Sequence, residues 1–324
     1  MGFNVPDKEI YRTPRRNAAV AQGTQQYRRL PPEWNGVVPT EFFLAEAARI
    51  VEGSKEFGIS LRAMGGVAIA LRCTSEKDFA RRLGRMTSGG QEYTDLDFAG
   101  LLKERSNLVK YFQTLNYEKR PSTLSSSASQ RQIYFHPEGY FTVDVIMDEL
   151  LVANHPIDFR KRIGIDPLTI TLADLLLEKV QMWVSFSEKD LKDCLLLLKS
   201  HDVSEDGTDG ERINSAYIAD LLSDDWGFYY TATTNLKKMV EILENLETAG
   251  KGVNIDPLKI PKDEREVMLG RIQHLLKVIE QRPKSFRWKM RAKLGITKRW
   301  YNEVETPSTV GDFGLWRLRE SRKE

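Results

Sequence analysis

The chain has 324 residues, of which 41% are hydrophobic and 29% charged, with a formal net charge of +2. That length can bury a large core and suggests two domains or one with appendages, and the mixed composition excludes disordered, fibrous and polycationic classes. Two cysteines, Cys73 and Cys194, lie far apart in apolar helical contexts, so we expect reduced core thiols in a cytoplasmic protein rather than a disulfide or zinc framework. The N-terminus has no apolar region of the kind a secretory signal needs, and no stretch reaches the roughly 20 apolar residues of a membrane-spanning helix, so no membrane partner is expected.

Residues 1–38 are polar, with Arg15-Arg16, Arg28-Arg29 and Pro31-Pro32, and read as an N-terminal arm. From Thr40 the apolar residues Phe43, Ala47, Ile50 and Val51 fall at helical spacing, which predicts a helix with Thr40 as N-cap and Gly53 near its end. ISLRAM (59–64) then runs into Gly65-Gly66 and a small-residue helix, VAIALRC. Residues 75–92 read as a polar excursion ending in Ser88-Gly89-Gly90. YTDLDFAG (93–100) reads as a strand and 101–115 as a helix. Residues 118–130 are a loop by composition. RQIYFH and YFTVDVIMD flank Pro137-Glu138-Gly139, a hairpin signal. Residues 153–166 read as a linker, followed by apolar-faced helices over 171–186 and 187–201, a loop to Glu211, and helices near 212–222, 234–248 and 262–281. The expected architecture is α+β. An α/β domain over 39–165 carries a small mixed sheet flanked by helices, a helical domain spans 166–281, and a basic aromatic tail spans 282–324.

Side chains alternate faces along a strand, so Asp95 and Asp97 share one face with Tyr93 while Leu96 and Phe98 point to the core. Two carboxylates on one side repel unless protons or a cation bring them together. On the predicted hairpin, Phe141, Val143 and Val145 face one way and Thr142, Asp144 and Ile146 the other, leaving Asp144 a single charge among apolar neighbours. Three carboxylates from adjacent strands suit Mg²⁺, a hard cation that keeps several waters and is completed by substrate phosphates. Gly65 and Gly66 join a strand to a helix, where a backbone without side chains can approach a phosphate and the helix N-terminus offers free N–H groups. Taken singly, a Gly-Gly pair is an ordinary turn and Asp-x-Asp an ordinary solvated strand face. Their joint order, with a lone strand aspartate after them, is the informative feature.

In this order, MGGVAIAL, YTDLDF and TVDVIMD resemble the nucleotidyltransferase superfamily of the DNA polymerase beta type. There a GG or GS turn precedes a helix, an Asp-x-Asp pair binds metal, and a third carboxylate follows on a later strand. The resemblance implies that Gly65 and Gly66 hold the triphosphate and that Asp95 and Asp97 ligate two Mg²⁺ ions, with Mn²⁺ an alternative. It also implies that Asp144 binds the catalytic metal and helps activate the attacking hydroxyl. Within the superfamily, LLLEKVQMWVSFSEKDLKDCLLLL resembles the AbiEii-like toxins of abortive-infection and toxin–antitoxin systems, which carry a helical lysine and then a K-D-x-x-D signature. The matching positions are Lys179, then Lys189-Asp190 and Asp193. By the resemblance, Lys179 or Lys189 neutralises triphosphate charge while Asp190 and Asp193 orient base, ribose or acceptor. Read alone, KDLKD is the polar side of an amphipathic helix opposite Leu191, Leu195 and Leu198. Family members carry an arginine and a threonine just before Asp-x-Asp. Arg85 and Thr94 are the nearest equivalents here, separated by the glycine-rich stretch MTSGGQEY.

The implied reaction is transfer of a nucleoside monophosphate from a nucleoside triphosphate to a hydroxyl of RNA (tRNA) or protein, with an antitoxin protein as an implied partner. From Arg282 to Arg299 there are eight lysines and arginines and no acidic residue, interleaved with Phe286, Trp288 and, just beyond, Trp300 and Tyr301. Arg287, Trp288, Lys289, Arg291 and Lys293 could therefore contact nucleic acid; equally, the tryptophans could dock on the helical domain with the lysines solvated. Two other readings stand beside the first: a non-catalytic nucleotide- or RNA-binding protein, and a small-molecule nucleotidyltransferase of the antibiotic-modifying kind. The four histidines, His136, His155, His201 and His274, have no ligand spacing.

Overall fold

A computed structural model describes residues 30–85, 90–121, 130–152, 155–184, 186–207, 210–246 and 260–302. Most of the expected arm, most of the stretch MTSGGQEY before Tyr93, and the tail beyond Asn302 lie outside these residues. The first half of the chain contains helix α1 (Thr40–Ser54), strand β1 (Arg62–Met64), helices α2 (Gly65–Arg72) and α3 (Lys77–Leu83), strand β2 (Asp95–Gly100) and helix α4 (Arg105–Thr114). Strands β3 (Glu118–Lys119), β4 (Arg131–Phe135), β5 (Thr142–Met147), β6 (Glu149–Val152) and β7 (His155–Asp158) follow. The remainder comprises helices α5 (Leu172–Val180) and α6 (Glu188–Ser200), short strands β8 (Val203–Ser204) and β9 (Ile213–Asn214), and helices α7 (Ser215–Asp224), α8 (Trp226–Glu244), α9 (Lys262–Gln281) and α10 (Phe286–Ala292).

The main sheet is mixed, in the order β1-β2-β5-β4-β3. β2 runs antiparallel to β1 and parallel to β5, and the expected hairpin pairs β4 with β5 antiparallel. The period-2 pattern sets the faces. Leu96 and Phe98 on β2 and Val143 and Val145 on β5 are neighbours in register and fully buried. On β4, Tyr134 stacks on Phe112 of α4 at 4.1 Å. α1 buries Phe43, Ala47, Ile50 and Val51 as its spacing predicted. The helix begins at Thr40 itself, with Pro39 in the capping position and no side-chain cap.

The sheet and the later helices are joined directly. Ala63 of β1 exchanges backbone hydrogen bonds with the stretch before α5, donating to the Leu168 carbonyl and accepting from the Ile170 N–H, each at 3.0 Å. This ties the start of α5 to the edge of the sheet. Thr171 then caps α5, its hydroxyl accepting from the Asp174 N–H, and Ser187 caps α6 in a reciprocal capping box with Asp190. α6 is buried over its whole middle, Leu191 to Leu198, because it packs against α2, α5 and α9.

Besides the two-residue strands β3 and β8, which lie in stretches expected to be loops, three segments differ from expectation. The polar excursion after Cys73 contains α3, whose only buried residues are Phe79 and Leu83, too short an apolar stripe to announce a helix. The expected linker over 153–166 contains β7, paired antiparallel with β6; its Pro156 is exposed in a two-stranded hairpin, where a missing donor is tolerated. α8 starts at Trp226 behind an Asp225 cap, earlier than position 234, since buried Gly227, Thr231 and Thr233 depress the helical signal. The described part of the basic tail is folded onto α7 and α8: Trp300 is 8% exposed, with rings of Trp183, Trp226 and Tyr230 around it and its indole N–H donating to Thr231.

One half-buried histidine gives the fold a pH dependence. His136 stacks on Tyr140 at 4.9 Å and its Nδ1 accepts the Glu138 N–H at 3.1 Å, a bond that only an unprotonated Nδ1 can accept. Burial pushes its pKa down to about 4; the charges facing it are Glu46 and Glu138, which oppose the shift, and Arg49, which adds to it. Between pH about 6.5 and about 4 the unfolded chain therefore takes up a proton that the folded chain refuses, and stability falls as pH drops through that window. We expect a loss of about 1–3 kcal/mol across it. In denaturant titrations at stepped pH, His136→Gln should show a shallower acid slope than wild type; identical slopes would refute the assignment.

Candidate active site

The strand register brings the carboxylates together. Asp97 pairs directly with Asp144 across the parallel β2–β5 ladder, and Met64, the residue before the glycine turn, is the partner of Asp97 on the other side. Asp95 lies two residues back on the same face, its carboxylate accepting from the Thr94 hydroxyl at 3.3 Å. Asp97 is half-buried, and burial together with Asp95, Asp144 and Glu178 pushes its carboxyl well above the ordinary range. Asp95 keeps an edge open to solvent, yet desolvation in the cleft and the nearby Asp144 raise it as well. Asp144 is held by Arg131, whose Nε lies 2.8 and 3.0 Å from the two carboxylate oxygens.

The glycine turn fits between these groups with no room to spare. Gly65 has φ +72°, a region in which side chains are strained, and a Cβ there would sit 2.7 Å from an Asp97 oxygen. Its N–H donates to Glu178 Oε2 at 3.1 Å. A Cβ on Gly66 would run into the Arg85 guanidinium and lie 3.3 Å from an Asp193 oxygen. Each glycine therefore lets the turn lie against a charged side chain.

A network of ion pairs backs the turn. Lys179, at the end of α5, lies 3.3 Å from Asp193, 3.4 Å from Glu178 and 3.8 Å from Asp190. Burial alone would lower its pKa, but these three carboxylates outweigh it and hold the ammonium above its ordinary range. Asp193, 1% exposed, also receives Arg85, with Nε 2.5 Å from Oδ1 and Nη2 3.1 Å from Oδ2. Arg85 in turn lies over the Tyr93 ring at 4.6 Å and bonds the Glu92 carbonyl. In this stretch of α6, Asp193 points inward, so KDLKD is more than a solvated polar stripe.

Of the residues singled out in the sequence, Gly65, Gly66, Asp95, Asp97, Asp144, Lys179, Asp190 and Asp193 meet in this one region, joined by Arg85. Asp190 also closes the capping box, accepting from the Ser187 hydroxyl at 2.7 Å. Lys189 is exposed and takes no part in these contacts. The tail residues are elsewhere, on α10 against α7 and α8: Arg287 is 3.9 Å from Asp224, Arg291 lies over Trp226, Trp288 packs edge-on against Tyr229, and Lys289 and Lys293 are exposed. Two residues of the cleft went unnoticed in the sequence. Glu178 beside Lys179 reads as a solvated helical pair, and Arg131 opens a hairpin strand where nothing but the register reveals its neighbour.

Among the described residues, no three His, Cys, Asp or Glu side chains stand ready as a metal cage; Asp144 is engaged by Arg131. Compared with known families, curated proteins and solved structures, the chain matches none.

The close approach at Gly65 can be measured. Gly84 also has positive φ (+62°) but open space around its Cβ position. Gly84→Ala should cost about 1–2 kcal/mol for the left-handed backbone alone. Gly65→Ala must in addition displace Asp97, so its loss in a urea titration should exceed that of Gly84→Ala; equal losses would mean that Asp97 yields freely.

Proposed function

We propose that the chain is a Mg²⁺-dependent nucleotidyltransferase that transfers a nucleoside monophosphate from a nucleoside triphosphate to a hydroxyl acceptor. The observation that carries this reading is the convergence of Asp95, Asp97 and Asp144 beside a two-glycine turn that opens a helix. Among the described residues, six carboxylates stand around that turn, those of Asp95, Asp97, Asp144, Glu178, Asp190 and Asp193, against three cations, Arg85, Arg131 and Lys179. A surplus of negative charge at partly buried positions is costly unless protons or a cation offset it.

The donor set is all oxygen, which suits Mg²⁺ better than zinc or copper. Asp95 and Asp97 would hold the ions, and Asp144 would join them on release from Arg131. When bound, the ions would neutralise charge on the attacking and leaving oxygens. The chain's own part is placement. The Gly65-Gly66 turn presents α2's first N–H groups to the triphosphate, and Lys179 supplies positive charge beside it. Asp193 and Asp190 orient Lys179, and Asp193 fixes Arg85. An acceptor hydroxyl would give its proton to Asp144, once that carboxylate is free of Arg131, as its oxygen bonds the α-phosphorus and the α–β bridging bond breaks; pyrophosphate leaves with the electron pair.

A second reading is a binding protein of the same build without turnover, favoured by the Arg131–Asp144 pair, which occupies the third carboxylate. The acceptor, RNA or protein, and an antitoxin partner remain part of the proposal only through the family resemblance.

Asp97→Asn and Asp144→Asn should each lower label transfer from α-³²P nucleoside triphosphates to lysate RNA or protein by at least about a thousandfold. Asp97→Asn should melt no lower than wild type, because it removes one of several crowded like charges. Unimpaired transfer in both variants would end this reading, and Mg²⁺-dependent triphosphate binding without pyrophosphate release would favour the second.

A further inference from the structure

Glu178 poses a question that the proposed reaction does not answer. The turn meant for phosphate already has an anion on it: Glu178 Oε2 accepts the Gly65 N–H at 3.1 Å, while Oε1 lies 3.4 Å from the Lys179 ammonium. A backbone N–H at a helix start and a buried ammonium are the two kinds of group that a phosphate oxygen would take. One carboxylate holds both.

The arrangement is not a simple structural pair. Lys179 has two other carboxylates within reach, Asp193 at 3.3 Å and Asp190 at 3.8 Å, so its charge is met without Glu178. Glu178 also adds to the crowding, since it is one of the acidic groups that raise Asp97. A negative charge placed where it repels Asp97 gains chiefly from the Gly65 N–H and from Lys179. Both gains vanish when a more highly charged anion arrives, because phosphate oxygens make the same two contacts more strongly.

We propose that Glu178 is an internal stand-in for phosphate, which occupies the glycine turn in the free protein and is displaced by the triphosphate. This rests on the nucleotidyltransferase reading of the cleft and adds to it a built-in competitor that sets the affinity for the triphosphate. Glu178 keeps the Gly65 peptide and the Lys179 side chain in their binding positions, and it rejects ligands too weakly charged to replace it. A polyphosphate passes that threshold; a lone carboxylate or a monoanion does not.

The test is direct binding of inorganic tripolyphosphate, followed by calorimetry, to the full chain and to Glu178→Gln, with melting temperatures as the control for folding. The glutamine keeps an oxygen for the Gly65 N–H but gives up the charge that competes with phosphate. Binding to Glu178→Gln should be tighter by about tenfold or more, the scale of one charge-assisted contact. In label transfer the same variant should lower KM for the triphosphate more than it changes kcat. Equal or weaker binding by a folded Glu178→Gln would overturn the proposal. Should that variant not fold, Glu178→Asp carries the test: its shorter carboxylate cannot span Gly65 and Lys179 together, so binding should again tighten, and unchanged binding would overturn the proposal. The two ideas separate cleanly. Label transfer by wild type with no gain in affinity removes the stand-in and leaves the reaction, whereas a gain in affinity with no transfer by any form keeps the stand-in and removes the reaction.

Discussion

The parallel pairing of β2 with β5 is the constraint on which the cleft depends, because it sets Asp97 opposite Asp144 at one level of the sheet. A shift of one residue in that register would turn Asp144 to the packed face and bring Val143 or Val145 out. The register is held by what lies on the other side. Leu96, Phe98, Val143 and Val145 are buried to within about a hundredth of their surface, and burying apolar side chains of this size is worth roughly 1.5–3 kcal/mol each. The hydrophobic face thus carries the free energy needed to hold like charges together on the opposite face. Parallel strands also need a crossover between them, here α4, β3 and β4, and that crossover brings Arg131 to the hairpin strand beside Asp144.

A second dependence runs through α5 and α6. Glu178 and Asp193 belong to the helical half of the chain, yet Glu178 bonds the glycine turn and Asp193 pairs with Arg85, both from the sheet half. The backbone bonds between Ala63 and residues 168–170 fix where α5 starts, and its seventh residue is Glu178, delivered to the Gly65 N–H with Lys179 next to it. Arg85, reaching Asp193 on α6, closes the loop from the other direction. The cleft is therefore a seam between the two halves, and its charges help to define how they meet.

Strands β1 and β2, the β4–β5 hairpin and the first helix were legible in the sequence because burial on one face leaves an alternating or a 3.6-residue imprint. The same alternation put Asp95 and Asp97 on one face of their strand and Asp144 opposite Val143 and Val145 on its own. Short elements were not legible: α3 buries two side chains and β7 contains a proline, so neither writes a pattern long enough to read. The ion pairs were beyond reach for a different reason. Arg131–Asp144, Arg85–Asp193 and the Glu178–Gly65 bond join residues from 13 to 113 positions apart, and no local pattern encodes which distant charge will face which. Trp288 and Trp300 show the converse. An aromatic, basic tail carries the same composition whether it meets nucleic acid or its own chain, and here the rings of Trp226, Tyr229 and Tyr230 receive the two tryptophans.

The glycines of the turn also acquire a second meaning. In the sequence, Gly65 and Gly66 signalled a backbone left bare for a phosphate. In the fold, each bare position is already in use, Gly65 between Asp97 and Glu178 and Gly66 beneath Arg85. A turn shaped only for phosphate would need one missing Cβ at the point of approach. A turn that must also pass between charged side chains needs both, and it needs the positive φ of Gly65 to aim its N–H at Glu178. The glycines thus couple three things that could have been separate: where the aspartates lie, which anion holds the amide, and how α2 is angled over the sheet. Any side chain at position 65 would disturb all three together, which makes this turn the point where folding and the proposed chemistry share one constraint.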